Sequence, residues 1–90
     1  MIELATNDKR NQYIFIIETE CDMNIITRIH MIFTRRRVPV LDFQSVQLNN
    51  GDKQRILMIV EDTKENVLKL HQHVARLVDV MTVNLFESVS

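Results

Sequence analysis

Gly51 is the only glycine in the chain, and it falls in Asn49-Asn50-Gly51-Asp52 between two runs of strand-forming residues. Asparagine and glycine supply the positive φ angles of a tight turn, so the flanking runs read as the arms of a β-hairpin. Val40 to Leu48 (VLDFQSVQL) partly alternates apolar and polar residues, and Arg55 to Val60 (RILMIV) returns as the other arm. With its one glycine spent in this turn, the chain has no Gly-rich loop of the kind that cradles a phosphate.

A strand and a helix precede the hairpin, and a helix and a strand follow it. Tyr13 to Thr19 (YIFIIET) is β-branched and aromatic, and apolar on both faces at its start, as expected of a central strand buried on two sides. Asp22 then serves as an N-cap. Ile25, Ile26, Ile29, Ile32 and Phe33 recur three and four residues apart, which predicts a helix from about Met23 to Arg36. Pro39 cannot continue that helix and biases Val38 toward an extended conformation. After the hairpin, Asp62 or Thr63 caps a second helix, with Glu65 placed to close a capping box from Asp62. Val67, Leu70, Val74 and Leu77 keep one face of it apolar, and Val80 to Phe86 (VMTVNLF) is the last strand.

The order β-α-β-β-α-β is that of the ferredoxin-like class: an α+β sandwich with a four-stranded antiparallel sheet and two helices on one face. Ninety residues allow one domain, because folding at this size buries only about 60 to 65% of the unfolded chain's surface. Residues 1–11 read as an N-terminal arm, 12–87 as the domain and 88–90 as a tail. Tyr13, Phe15 and Ile17 are apolar, and so are Ile14 and Ile16 on the opposite side of the strand. The face that the helices leave bare is therefore expected to pair copies of the chain, there or through an edge strand.

The run Arg35-Arg36-Arg37 can hold an anion, or it can be the last turn of a helix, where cations offset the partial negative charge of the free carbonyls. A formal net charge of −1 and an isoelectric point near 6.3 give no global field for a polyanion. The helix-end reading is favoured, and Arg35 and Arg36 remain candidates to meet an acidic partner surface. Arg37 stands where helices usually stop on glycine, and a left-handed arginine there costs about 1 kcal/mol.

Residues able to carry catalysis are scattered. His30, His71 and His73 are the only histidines, and His71 and His73 point to different sides of a helix rather than to one metal. Glu18, Glu20, Glu61 and Asp62 have no histidine, serine or lysine placed by sequence to work with them. Cys21 is the only cysteine, so it excludes an internal disulfide and fits a reducing compartment. No metal, no cofactor and no catalysis by this chain alone are expected. The longest apolar run, Tyr13 to Ile17, is too short to span a bilayer, and no secretory leader is read, so a cytoplasmic protein with no membrane partner is expected. RNA-binding sheets of this fold stack bases on aromatic residues of two central strands. Tyr13 and Phe15 supply one strand and ILMIV supplies none, so RNA binding is a minor alternative and no nucleic-acid partner is expected.

Two segments, IIETECDMNIITRIHMIFTRRRVPVLDF (Ile16 to Phe43) and HQHVARLVDVMTV (His71 to Val83), together resemble the ACT domain of the small regulatory subunit of acetolactate (acetohydroxyacid) synthase. Leu77 to Val83 is similar to that family's L-x-K-L-V-D-V-x-x-V, and Ile32 to Arg36 resembles its L-F-x-x-R-G; the resemblance spans Tyr13 to Phe86. It implies a non-catalytic subunit in branched-chain amino-acid synthesis. Such a subunit pairs with its own copy and activates a thiamine-diphosphate-dependent catalytic subunit, and in many members it senses valine.

In effector-binding members the amino acid sits at a dimer interface, its carboxylate near the N-terminus of the first helix in a loop resembling N-x-x-G. The equivalent positions here are Cys21, Asp22, Met23, Asn24 and Ile25, with Pro39 and Val40 after the helix. Cys21 replaces the motif's Asn and Asn24 its Gly. The family's R-G-Φ-N-I becomes Arg36-Arg37-Val38-Pro39-Val40, in which Pro39 offers neither a side-chain amide nor a backbone N–H. The resemblance therefore implies a short, valine-insensitive activating subunit. A stand-alone ACT-type amino-acid sensor with a retuned pocket is the alternative.

Overall fold

The computed structural model describes residues 9–88. β1 (Arg10–Glu20), α1 (Met23–Arg35), β2 (Val40–Leu48), β3 (Lys53–Thr63), α2 (Lys64–Ala75) and β4 (Val80–Glu87) follow in the predicted order. The four strands form one antiparallel sheet in the order β2-β3-β1-β4. Asn49, Asn50 and Gly51 all take positive φ in the turn between β2 and β3, as the tetrapeptide requires.

The period of two along the central strands builds the core. Tyr13, Phe15, Ile17 and Thr19 of β1 are buried beneath the helices, beside Gln54, Ile56, Met58, Val60 and Asp62 of β3. Ile25, Ile29, Ile32 and Phe33 of α1 and Val67, Leu70 and Val74 of α2 close over them. Phe15 and Phe33 meet edge to face with centroids 5.1 Å apart, the arrangement that aromatic quadrupoles prefer.

β1 is fully buried on one face only, which corrects the expectation of two. Ile14 and Ile16 point away from the helices and are half-buried, opposite Ile59 and Leu57. Glu18–Arg55 at 2.8 Å and Glu20–Lys53 at 3.0 Å fence one end of this apolar strip. The alternation that reads as apolar at Tyr13 to Ile17 thus becomes charged by Glu18, where the strip ends.

The caps refine the sequence reading. Asp22 caps α1, its Oδ1 accepting the Asn24 N–H at 2.9 Å. Thr63 caps α2 by accepting the Asn66 N–H at 3.3 Å, while Asp62 accepts from the Thr63 N–H at 2.6 Å and the Asn66 side chain at 2.7 Å. No capping box forms from Asp62, because its carboxylate is buried and already satisfied. Glu65 is exposed and faces Lys69 one turn on at 3.6 Å.

α1 ends in a Schellman motif: the Arg37 N–H donates to Thr34 O at 2.9 Å and the Val38 N–H to Phe33 O at 3.1 Å. Arg37 holds the left-handed position of that motif with φ 57°. Val38 is buried next to it, so the chain turns inward before Pro39 carries it out to β2.

At the start of the domain, β1 begins at Arg10, three residues before the predicted strand. Arg10 pairs in register with Thr63 and lies 3.8 Å from the Asp62 carboxylate, while Asn11 donates to Glu87 at 2.9 Å. The ladder with β3 thus recruits residues that read as part of a polar arm. The remainder of the arm at 1–8, and of the tail at 89–90, lies outside the described residues.

Candidate functional site

The loop from Cys21 to Ile25 is built by three neighbours that sequence reading does not connect to it. The Cys21 N–H donates to Asp52 O at 3.2 Å, which ties the loop to the hairpin turn. Gln54 Nε2 lies 3.0 Å from Thr19 Oγ1, 3.1 Å from Glu20 O and 3.2 Å from Asp22 O, so a buried amide satisfies the loop from below. Gln47 Nε2 sits 3.5 Å from Cys21 Sγ, placing the loop beside the Leu48 end of the edge strand β2. Gln54 was legible only as a polar residue at the same period of two as Ile56, Met58 and Val60; its partners come from a strand far away in sequence.

At the head of α1 the free amides are partly spent. Asp22 takes the Asn24 N–H with its carboxylate and the Ile25 N–H, at 3.1 Å, with its carbonyl. A carboxylate already standing at a helix N-terminus opposes a second anion there. Met23 is 74% exposed beside it, and Asn24 is exposed too.

Pro39 and Val40 lie elsewhere. The Pro39 carbonyl accepts the Glu61 N–H at 3.2 Å, and Val40 is opposite Val60, whereas Cys21 is tied to Asp52. Nine residue steps of extended chain from Asp52 to Glu61 separate the two groups by about 30 Å. The structure therefore does not bring Cys21–Ile25 and Pro39–Val40 together within one chain. Pro39 and Val40 instead border an open cleft of about 380 Å³ with His30, Thr34 and Arg37.

The other candidates resolve into structural roles. His30 packs edge to face on Phe43 with centroids 5.8 Å apart, His71 Nε2 is 3.2 Å from Val83 O, and His73 faces the space between the helices. Among the described residues no three His, Cys, Asp or Glu side chains converge as a metal site. No described helix is long and apolar enough to cross a membrane. Tyr13 and Phe15 are buried in the core at 4% and 0% exposure, so they cannot stack bases on the open sheet face, and the aromatic basis of the RNA reading is lost.

Arg35 and Arg36 border a second and larger space, a groove of about 600 Å³ between α1 and α2. Ile32 and Leu77 form its floor, and Arg28 and Met31 continue its α1 wall. The groove depends on how two helices sit together, so no single segment of sequence announces it.

No protein-family model matches the chain, and no curated protein matches its sequence. Solved structures do match in fold. The ACT domain from GTP pyrophosphokinase of Chlorobium tepidum superposes with a TM-score of 0.72 at 10% identity, over 87% of this chain and 100% of that one. An uncharacterized protein from Thermotoga maritima gives 0.74 at 11% identity, over 88% and 98%. A homoserine dehydrogenase from Thiobacillus denitrificans gives 0.73 at 14% identity, over 90% of this chain and 18% of the enzyme. The chain has the ACT-like ferredoxin fold: βαββαβ, with two helices on a four-stranded antiparallel sheet.

Proposed function

We propose that this chain is a non-catalytic regulatory domain of ACT type that binds a small zwitterion of amino-acid chemistry between two copies set antiparallel alongside β2. The observation that carries this reading is the contact between Gln47 and Cys21 at 3.5 Å. It puts the Cys21–Ile25 loop at one end of the β2 edge, while Pro39 and Val40 mark the other end about 30 Å away. A second copy related by a twofold axis would bring the loop of one chain to the Arg37–Val40 cleft of the other. The charges then suggest a ligand turned end for end relative to the resembled family. Asp22 would face its ammonium, and Arg37 of the second copy its carboxylate.

Titration calorimetry against a panel of α-amino acids, with sedimentation to read the pairing, tests this proposal. The expected result is a dimer whose ligand heat is lost on Asp22→Asn and on Arg37→Ala. A flat response across the panel sinks it. Pairing through the bare sheet face is the competing geometry, and Ile16→Asp separates the two, since it should dissociate only a dimer built on that face.

A second reading is the activating subunit of acetolactate synthase. Arg37 favours it by taking the left-handed backbone, φ 57°, at the position where that family keeps glycine, which supports the alignment of Arg36-Arg37-Val38-Pro39-Val40. In that role the chain is valine-insensitive, because Pro39 and Asp22 both remove contacts that a carboxylate-anchored valine would need. Mixing it with an acetolactate synthase catalytic subunit should give co-elution and a rise in turnover; the absence of both would rule this role out.

A further inference from the structure

Along one wall of the interhelical groove, Arg28, Met31 and Arg35 are exposed on successive turns of α1. Arg28 and Arg35 are two turns apart, about 10 Å along the axis, with Met31 between them at 44% exposure. Ile32 and Leu77 line the bottom, and Arg36 reaches across the cleft, its Nη1 3.5 Å from Asn66 Oδ1 on α2. Cations at a helix C-terminus have a structural use, which accounts for Arg35 and Arg36 in part. It does not account for Arg28 in the second turn, nor for apolar side chains left open between charges.

The charge is one-sided. Arg28 meets Asp79 at 3.5 Å, with its side chain still about half exposed, and among the described residues Arg35 and Arg36 have no carboxylate partner. This local excess sits on a chain whose formal net charge is −1. By contrast, Arg55 and Lys53 on the opposite face of the sheet are both paired.

We infer that the α1–α2 groove is a docking site for an acidic amphipathic helix of a partner protein, with apolar residues against Met31, Ile32 and Leu77 and carboxylates two turns apart on Arg28 and on Arg35 or Arg36. The spacing selects the occupant. The groove follows α1 from Asn24 to Arg35, about 16 Å, which accommodates roughly three turns of helix. A single-headed anionic amphiphile would engage the cation at one end of the groove and make no contact with the arginine at the other. A nucleic acid would gain nothing from the apolar floor and finds one ring in the groove, His73, with no Phe, Tyr or Trp beside it to continue a stack. The groove belongs to one chain, opens on the helix side and shares only Asn24 with the Cys21–Ile25 loop, so docking in it does not require a bound effector.

The probe is a fluorescein-labelled, leucine-rich helical peptide of about fifteen residues carrying glutamates two turns apart beside its apolar face, read by fluorescence anisotropy. Saturable binding with a Kd of about 1 to 100 μM is expected, weakening as salt is raised. Arg35→Glu combined with Arg36→Glu should weaken it about tenfold or more, and so should Met31→Asp. Arg55→Glu, a charge reversal on the far face, should leave it unchanged, as circular dichroism melts confirm that each variant is folded. No binding at about 1 mM peptide overturns the inference. So does equal binding by the double arginine variant, or displacement of the peptide by oleate or a single-stranded oligonucleotide whose own binding ignores Met31→Asp.

Discussion

Gln54 and Thr19, paired in register on β3 and β1, meet by an amide-to-hydroxyl hydrogen bond of 3.0 Å in a site where both side chains are buried. The same amide nitrogen is shared with the carbonyls of Glu20 and Asp22, and Thr19 Oγ1 itself donates to Glu20 O at 2.7 Å. A polar pair in the core thus sets the path of the loop that leads into α1.

Replacing Gln54 by leucine keeps most of the volume and strips the donors from three acceptors. Unfolding in urea should show a loss of about 2 kcal/mol, the cost of leaving buried acceptors unmet. Because those acceptors hold the β1–α1 loop, hydrogen exchange at Asp22 to Ile25 should rise more than exchange in β4. A uniform rise would mean that Gln54 stabilises the sheet generally.

Arg37 carries backbone strain that glycine would not. Arg37→Gly should stabilise the domain by about 1 kcal/mol, raising its Tm by about 4 to 8 °C, whereas Arg37→Val should lower it. Thermal melts followed by circular dichroism would check both signs. A destabilised glycine variant would show that the arginine side chain contributes more than its backbone costs.

The contributions of the Thr63 cap and of Glu65 at the head of α2 are separable by truncation. Thr63→Ala should cost about 1 kcal/mol through the lost acceptor for the Asn66 N–H, and Glu65→Ala less than about 0.5 kcal/mol, as befits an exposed pair with Lys69. Chemical denaturation of the two variants decides it, and an equal loss would restore the capping-box reading.

Much of this fold is legible in local pattern. The three-and-four spacing of Ile25, Ile29, Ile32 and Phe33, the Asn49-Asn50-Gly51 turn and the stop before Pro39 each depend on neighbours in sequence, and each appears where that pattern puts it. What is not legible depends on partners far along the chain. Arg10 to Gln12 are polar yet extend β1, because β3 offers Asp62, Glu61 and Thr63 in register. Asp62 looks like a cap but is drawn into a buried network by Asn66 and Arg10. The candidate site divides in the same way: the substitutions at Cys21, Asn24, Arg37 and Pro39 are visible in the sequence, whereas the separation of Cys21 from Pro39 follows only once β3 runs between them.

Phe33 joins α1 to the sheet through Phe15, and it is wholly buried. Phe33→Ala should destabilise by about 3 to 5 kcal/mol, and Phe33→Leu by much less, since leucine refills most of the cavity. Equilibrium denaturation reads the difference; similar losses would point to the aromatic contact rather than to volume.

The first and last strands of the domain are neighbours, and the Ser88 N–H donates to Gln12 O at 2.9 Å. The chain therefore leaves the fold beside Gln12, two residues in from its entry at Arg10, so the two ends lie within about 10 Å of each other. A domain with such closely set ends can be spliced into the surface loop of a host enzyme without prising that loop apart. It can equally have its ends joined by a short linker and be reopened at Asn50, keeping every strand pairing. Portability of this kind follows from the strand order itself and needs no particular side chain.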